Sequence, residues 1–125
     1  MTHRSRIYVT VIDVPADVHA DEVAFWGAAG GHPLRELDQP EFHGTRLTDS
    51  SALIVQRIDD GDAHIHLDIH TDDLDAEVDR VVALGATERR RFDQWVVLTD
   101  PAGLDFCVVE DPPGTLTDDN ANVWE

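Results

Sequence analysis

Residues 64–71 alternate strictly between polar and apolar side chains, and a helical pattern rich in Asp follows them directly. Because side chains along a strand point to alternate faces, Ile65, Leu67 and Ile69 share one face of a predicted strand. The opposite face carries three imidazoles and one carboxylate, on His64, His66, Asp68 and His70. We expect the apolar face to pack under the following helix. We expect the polar face to serve chemistry, since imidazoles and carboxylates bind metals and move protons, or to line a polar cleft.

The order of one strand, one helix and further strands occurs twice, and the second copy starts about 58 residues after the first. The predicted elements of the first copy are a strand at 6–14, a helix from Asp21 to Gly30, and strands at 42–48 and 52–58. Those of the second copy are a strand at 64–71, a helix at 74–84, and strands at 86–92, 94–99 and 104–110. Runs of β-branched and aromatic residues support the strands, and apolar residues three or four positions apart support the helices.

This order predicts an α+β fold of two βαββ(β) modules, with the last strand of the first copy left open, rather than a ferredoxin-like split sheet, which usually has fewer strands. We expect one domain over residues 1–125, with module one at 6–58, module two at 64–110 and an irregular tail at 111–125. A chain of 125 residues is long enough to bury a core without disulfides or metals.

The net charge is −17, and all nine basic residues are Arg. Such a charge repels phosphates, so we expect no nucleic-acid partner and no anionic membrane surface. The charge does not exclude a cationic or neutral small molecule as a ligand. The single Cys107 excludes an internal disulfide, and no apolar run reaches the length of a membrane span. We therefore expect a cytoplasmic protein.

Two segments carry a resemblance to a known family. The string from His66 to Gly85, HLDIHTDDLDAEVDRVVALG, resembles the start of the second module of glyoxalase-like proteins, in the glyoxalase, bleomycin-resistance and extradiol-dioxygenase (vicinal oxygen chelate) superfamily. The segment Gln94–Val109 is similar to that family's terminal hairpin, and the first module is similar more loosely. The resemblance implies two βαβββ modules whose curved sheets surround a shared cleft, and often a homodimer.

In metal-using members of the family, one ligand comes from the first strand of each module and another from the last strand. His66 stands seven residues before Asp73, the family spacing for the second-module ligand. In the first module the ligand position falls near Tyr8 or Thr10, and Gln56 is the remaining candidate there. The last-strand ligand is usually Glu, and the corresponding residue here is Cys107. The missing Glu argues against the family's usual divalent metal, so the cofactor stays unknown.

The polar face of the predicted strand 64–71 offers a second kind of chemistry. Asp68 lies two residues from His66 on the same face, where a carboxylate can fix the imidazole tautomer for acid–base catalysis. The alternative for Asp68 is a structural ion pair with an Arg. We expect His64 and His70 at the cleft rim or in solvent, and Trp95 as a pocket wall or a core residue. Trp26, at helical spacing, is most simply core.

Three function classes follow from these residues. The first is a small-molecule-binding protein that holds a ligand in the cleft without the usual metal, and it is the one we favour. The second is a divalent-metal-dependent lyase, isomerase or dioxygenase. The third is a metal-free enzyme that uses His66 and Asp68 as an acid–base pair. Fold resemblance alone does not choose among them.

Overall fold

The computed structural model describes residues 2–125, and this part of the chain contains nine strands and two helices. The elements are β1 His3–Pro15, α1 Ala16–Gly30, β2 Arg35–Glu36, β3 Phe42–Thr48, β4 Ser51–Ile58, β5 His64–Thr71, α2 Leu74–Ala83, β6 Thr87–Arg91, β7 Trp95–Thr99, β8 Asp105–Glu110 and β9 Asn122–Trp124. The order βαβββ thus occurs twice before β9. The predicted α+β fold with two such modules is confirmed.

The chain divides into two compact units, which are described separately. The central unit is Val9–His66, and the terminal unit combines the residues up to Tyr8 with Leu67–Glu125. Strands β1 and β5 contribute residues to both units.

In the central unit the strands lie in the order β2-β3-β4-β1. β1 runs parallel to β4, with Asp13 opposite Gln56 and Ile12 opposite Val55. Ile12, Val14 and Val55 form a buried cluster, and Val23 of α1 packs against it. One face of β1 is therefore covered by α1, which fixes the direction of every other side chain along the strand.

In the terminal unit the strands lie in the order β5-β8-β7-β6, and β9 pairs with the start of β1. β5 runs parallel to β8, as β1 does to β4. Asp73 caps α2 by accepting a hydrogen bond from the Ala76 backbone N–H at 3.1 Å. The apolar residues of α2 and the sheet form one core, made of Leu74, Val78, Val81, Val96, Leu98 and Val108.

The prediction that the whole apolar face of β5 packs under a helix is wrong. Only Ile69 joins the core beneath α2. Ile65 is 63% exposed and Leu67 is 43% exposed. The alternation located β5 and its two faces correctly. However, α2 covers only the C-terminal end of β5, where Ile69 lies.

Three further expectations need correction. Helix α1 begins at Ala16, directly after Pro15, and not at Asp21, because Pro15 already holds the dihedrals of a helix N-cap. The tail predicted as irregular contains β9. Trp26 is not core: the residue is 36% exposed, and its indole N–H donates to the Glu22 carboxylate at 3.1 Å. No helix in residues 2–125 is long and apolar enough to cross a membrane.

Two histidine rings meet between α1 and β3, where His19 is buried and His43 is partly buried. The rings of His19 on α1 and His43 on β3 are 5.1 Å apart, and neither His19 Nε2 nor His43 Nδ1 has a hydrogen-bond partner within residues 2–125. Burial lowers the pKa of His19, and the nearby His43 and Arg57 lower it further, against the opposing effect of the Val55 and Glu41 carbonyls.

This pair predicts a loss of stability in mild acid. As the pH falls below 6.5, the unfolded chain protonates His19 while the folded chain does not, so the free energy of unfolding decreases. Urea denaturation at a series of pH values measures the effect, and the His19→Phe variant should lose this part of the slope. Equal slopes in the two proteins below pH 6.5 would count against the assignment.

Candidate functional site

A buried carboxylate lies within the mostly apolar second half of β1 in the central unit. Asp13 follows Val9, Val11 and Ile12 along β1 and is only 3% exposed. Its side chain points away from the face of Ile12 and Val14 that packs under α1, because residues alternate along the strand. Its Oδ1 has no hydrogen-bond partner within residues 2–125. A buried carboxylate is costly unless other groups compensate its charge.

Two imidazoles from β5 supply that compensation at the other oxygen. His66 Nδ1 lies 2.5 Å from Asp13 Oδ2 and donates a hydrogen bond to it. His64 Nε2 lies 3.1 Å from the same oxygen. The side chains of Asp13 and His66 are 4% and 13% exposed, whereas that of His64 is 51% exposed. The group is therefore closed on the Asp13 side and open to solvent through His64.

The tautomer of His64 decides what this group attracts. Its Nδ1 lies 2.8 Å from the Asp62 backbone carbonyl, and a carbonyl only accepts, so Nδ1 carries a hydrogen. In neutral His64 the lone pair on Nε2 then faces the Asp13 carboxylate. Two lone pairs at this distance repel each other unless a positive charge lies beside them. The arrangement therefore favours a cation beside these two atoms, supplied as an ion or a ligand from solution.

The same three residues fit a divalent metal. One ligand atom from each of Asp13, His64 and His66 lies within 4.8 Å of the others. Two imidazoles and a carboxylate form a donor set used by Fe²⁺ and by catalytic Zn²⁺. Gln56 is the partner of Asp13 in the sheet register, so its side chain lies on the same face.

The predicted site residues divide between the two units. In the central unit His64 and His66 meet at Asp13, and Gln56 lies beside it. Thr10 lies on the opposite face, because it alternates with Val11 and Asp13 along β1. The first-strand ligand position therefore does not bring Thr10 to the two histidines.

Four other predicted residues belong to the terminal unit: Tyr8, Asp68, Trp95 and Cys107. Asp68 on β5 is opposite Cys107 on β8, and Cys107 is opposite Val97 on β7. Cys107 is a free thiol of intermediate exposure. The role of Asp68 as an acid–base partner of His66 stays a prediction, whereas His66 Nδ1 has a hydrogen bond to Asp13.

Sequence reasoning missed two carboxylates. Asp13 was one polar residue in the run VTVIDV, and this lone acid in a buried strand was the signal that could have found it. Asp111 follows β8 and accepts a hydrogen bond from His70 Nδ1 at 2.7 Å. No local pattern marks Asp111, because its partner is 41 residues away in sequence.

Comparisons with known proteins agree with this architecture. The crystal structure of NAD-dependent benzaldehyde dehydrogenase from Legionella pneumophila superposes with a TM-score of 0.60 at 12% identity, covering 81% of this chain and 97% of that chain. Methylmalonyl-CoA epimerase has a TM-score of 0.55 at 13% identity, covering 85% and 94%. A mutant of 4-hydroxymandelate synthase from Streptomyces coelicolor has a TM-score of 0.58 at 12% identity, covering 91% of this chain and only 51% of that chain.

At these identities the likeness concerns the fold alone. The chain has no significant match among curated proteins. The model of the glyoxalase-like domain matches residues 9–109, which is most of the chain. The protein is therefore a member of the glyoxalase-like domain family, within the vicinal oxygen chelate superfamily.

Proposed function

We propose that this glyoxalase-like domain binds a small cationic molecule at Asp13 without the family's usual metal. The observation that carries the proposal is the buried Asp13 carboxylate, whose Oδ1 has no hydrogen-bond partner within the described chain. A ligand with a positively charged N–H group that approaches from the exposed His64 side compensates the charge of this carboxylate. The net charge of −17 also draws cations toward the protein.

Benzamidine and benzamide test this proposal, because they share a shape and differ in charge. With EDTA present, we expect benzamidine to raise the melting temperature of the wild-type protein, since a ligand that binds only the folded state stabilises it. Benzamide should have no effect. In His66→Ala the shift should disappear, because the hydrogen bond that positions Asp13 is lost. Equal shifts in wild type and His66→Ala would mean that His66 has no part in binding.

A divalent-metal-dependent enzyme is the second candidate, and the tautomer of His64 favours it. Because Nδ1 donates its hydrogen to the Asp62 carbonyl, Nε2 keeps its lone pair. This lone pair points toward Asp13, so both residues could donate to one metal ion between them. Asp13, His64 and His66 would hold the metal, and Gln56 lies on the same face. A divalent metal there acts as a Lewis acid that polarises a substrate oxygen. Elemental analysis of the purified protein separates this candidate from the first: one metal per chain favours the enzyme.

A metal-free acid–base enzyme is the third candidate. His66 would be the acid–base residue in it, and its partner is Asp13 by observed contact or Asp68 by sequence prediction. The Asp68→Asn variant distinguishes these partners. If Asp68 orients His66, the substitution should weaken benzamidine binding as His66→Ala does; if Asp13 alone does so, binding should be kept.

Two further properties stay proposals. We propose that the protein is a homodimer and works in the cytoplasm, as the family resemblance and the single Cys107 suggest. Sedimentation equilibrium measures the oligomeric state directly. We also expect no binding to DNA at physiological salt, because the acidic chain repels phosphates.

A further inference from the structure

The terminal unit has a second face that the proposed function does not use. Val96, Leu98 and Val108 point toward α2 and are fully buried. The side chains that alternate with them point to the opposite face of the sheet. The register places His70, Val109 and Trp95 in one row across β5, β8 and β7. The neighbouring row on that face consists of Asp68, Cys107 and Val97.

His70 is held rigidly at one end of the first row. Its Nδ1 donates to Asp111 Oδ1 at 2.7 Å, and the side chains of His70 and Asp111 are 15% and 13% exposed. The Tyr8 ring lies edge-on to His70, with 5.2 Å between ring centroids. Since a carboxylate accepts from Nδ1–H, the neutral imidazole presents a lone pair at Nε2. This Nε2 makes no hydrogen bond within residues 2–125.

An aromatic platform occupies the other end of the row. Trp95 stacks on Phe92, with centroids 4.4 Å apart and 14° between the ring planes. The Arg90 guanidinium lies over Phe92 at 4.8 Å. Trp95 is nevertheless 41% exposed. The platform is therefore fixed from one side and still presents surface to a ligand.

The space between the two ends suits a small ring. Strands β5 and β7 are separated only by β8, so His70 and Trp95 are about 10 Å apart at the backbone. The floor between them is Val109, flanked by Val97 and Cys107, all partly exposed. Apolar lining with a single oriented polar group is typical of a small-molecule site.

We propose that this face binds a neutral planar aromatic molecule with one N–H donor. The donor bonds to His70 Nε2, and the ring lies over Val109 with its far edge against Trp95. A single acceptor that is already oriented by Asp111 selects a donor on the ligand. All residues of the proposed site belong to the terminal unit, and the proposal does not depend on the function proposed for Asp13.

Indole and N-methylindole test the proposal by equilibrium dialysis, because methylation removes the N–H and keeps the ring. We expect indole to bind saturably to the wild-type protein, and N-methylindole to bind at least about tenfold more weakly, since one hydrogen bond to a buried partner is worth about 1.4 kcal/mol. Equal binding of the two would overturn the role of His70. No saturable indole binding would overturn the site.

Protein variants complete the test. In His70→Asn the amide can still donate to Asp111 while the Nε2 acceptor is lost, so indole binding should fall to the level of N-methylindole. Trp95→Ala, at an exposed ring, should also weaken indole binding at least about tenfold. Trp26→Phe, at an exposed ring on α1, is the control that should bind indole like wild type. If His70→Asn and Trp95→Ala both bind indole like wild type, the proposal is wrong.

Discussion

Glu77→Ala is expected to lower the free energy of unfolding by about 3 kcal/mol, because it leaves the donors of the buried His3 and the partly buried Arg80 without their acceptor. Glu77 on α2 is fully buried. Its carboxylate accepts hydrogen bonds from Arg80 at 2.9 and 2.7 Å and from His3 Nε2 at 2.8 Å. Chemical denaturation with urea measures the change.

The same carboxylate ties both ends of the chain to α2. His3 belongs to β1, and the Arg80 guanidinium lies 3.9 Å over the ring of Trp124 in β9. The Trp124 indole N–H in turn donates to Ser5 Oγ at 2.9 Å. Loss of Glu77 therefore loosens β9 and the start of β1 as well as α2. Hydrogen exchange should show faster exchange in all three elements.

Glu88→Ala is the matched control. Glu88 binds Arg91 through both carboxylate oxygens, at 3.2 and 2.9 Å and with the same three-residue spacing, but on the protein surface. Surface ion pairs are screened by water and contribute little, so Glu88→Ala should change stability no more than an ordinary surface substitution. A comparable loss in both variants would show that burial is not what makes Glu77 important.

The pH dependence of the Glu77 effect has a definite sign. Burial alone would raise the pKa of Glu77, but hydrogen bonds from Arg80, His3 and Ser5 outweigh it and hold the pKa below 4.5. A carboxylate with a depressed folded pKa stabilises the protein above 4.5, and this contribution is lost as the pH falls through the folded pKa. Glu77→Gln, which keeps the size and removes the charge, should lack this loss. The loss of stability that depends on Glu77 occurs at a lower pH than the loss that depends on His19.

The sequence predicts much of the secondary structure because the relevant signals are local. The alternation over residues 64–71 gave the bounds of β5, and Asp73 followed by Leu74 marked the start of α2. Parallel pairing of β1 with β4 and of β5 with β8 reflects the same repeat. By contrast, β9 has only three residues and depends on its pairing with β1, so no local sequence pattern predicts it.

The candidate site was predictable only in part. His66 was singled out by its position on a polar face and by the seven-residue spacing to Asp73, which resembles that of the family. Its contact with Asp13 joins residues 53 apart in sequence, and only the pairing of distant strands produces it. Alternation gives the face of each side chain in its own strand, but it does not tell which residues of another strand lie beside it.

Asp13→Asn is expected to abolish cation binding, with at least about a 100-fold loss of affinity, or about 2.7 kcal/mol. The substitution keeps the size of the side chain and removes its charge. Asn Oδ1 can still accept from His66 Nδ1, so we expect the free energy of unfolding without ligand to change by less than about 1 kcal/mol. Isothermal titration with benzamidine, and separately with Zn²⁺, measures the binding, and urea denaturation measures the stability.

Asp62→Asn is the control for this prediction, because it removes one negative charge beside the site and leaves the backbone carbonyl that holds His64. Both variants have a net charge one unit less negative than wild type, so a general electrostatic attraction would weaken equally in both. A directed contact with Asp13 would be lost in Asp13→Asn alone.

The identity of the cation then follows from the two titrations: retention of benzamidine binding in EDTA supports the metal-free ligand, whereas binding of Zn²⁺ alone supports the metal-dependent enzyme. Binding of both probes by Asp13→Asn at wild-type affinity would remove Asp13 from the site altogether.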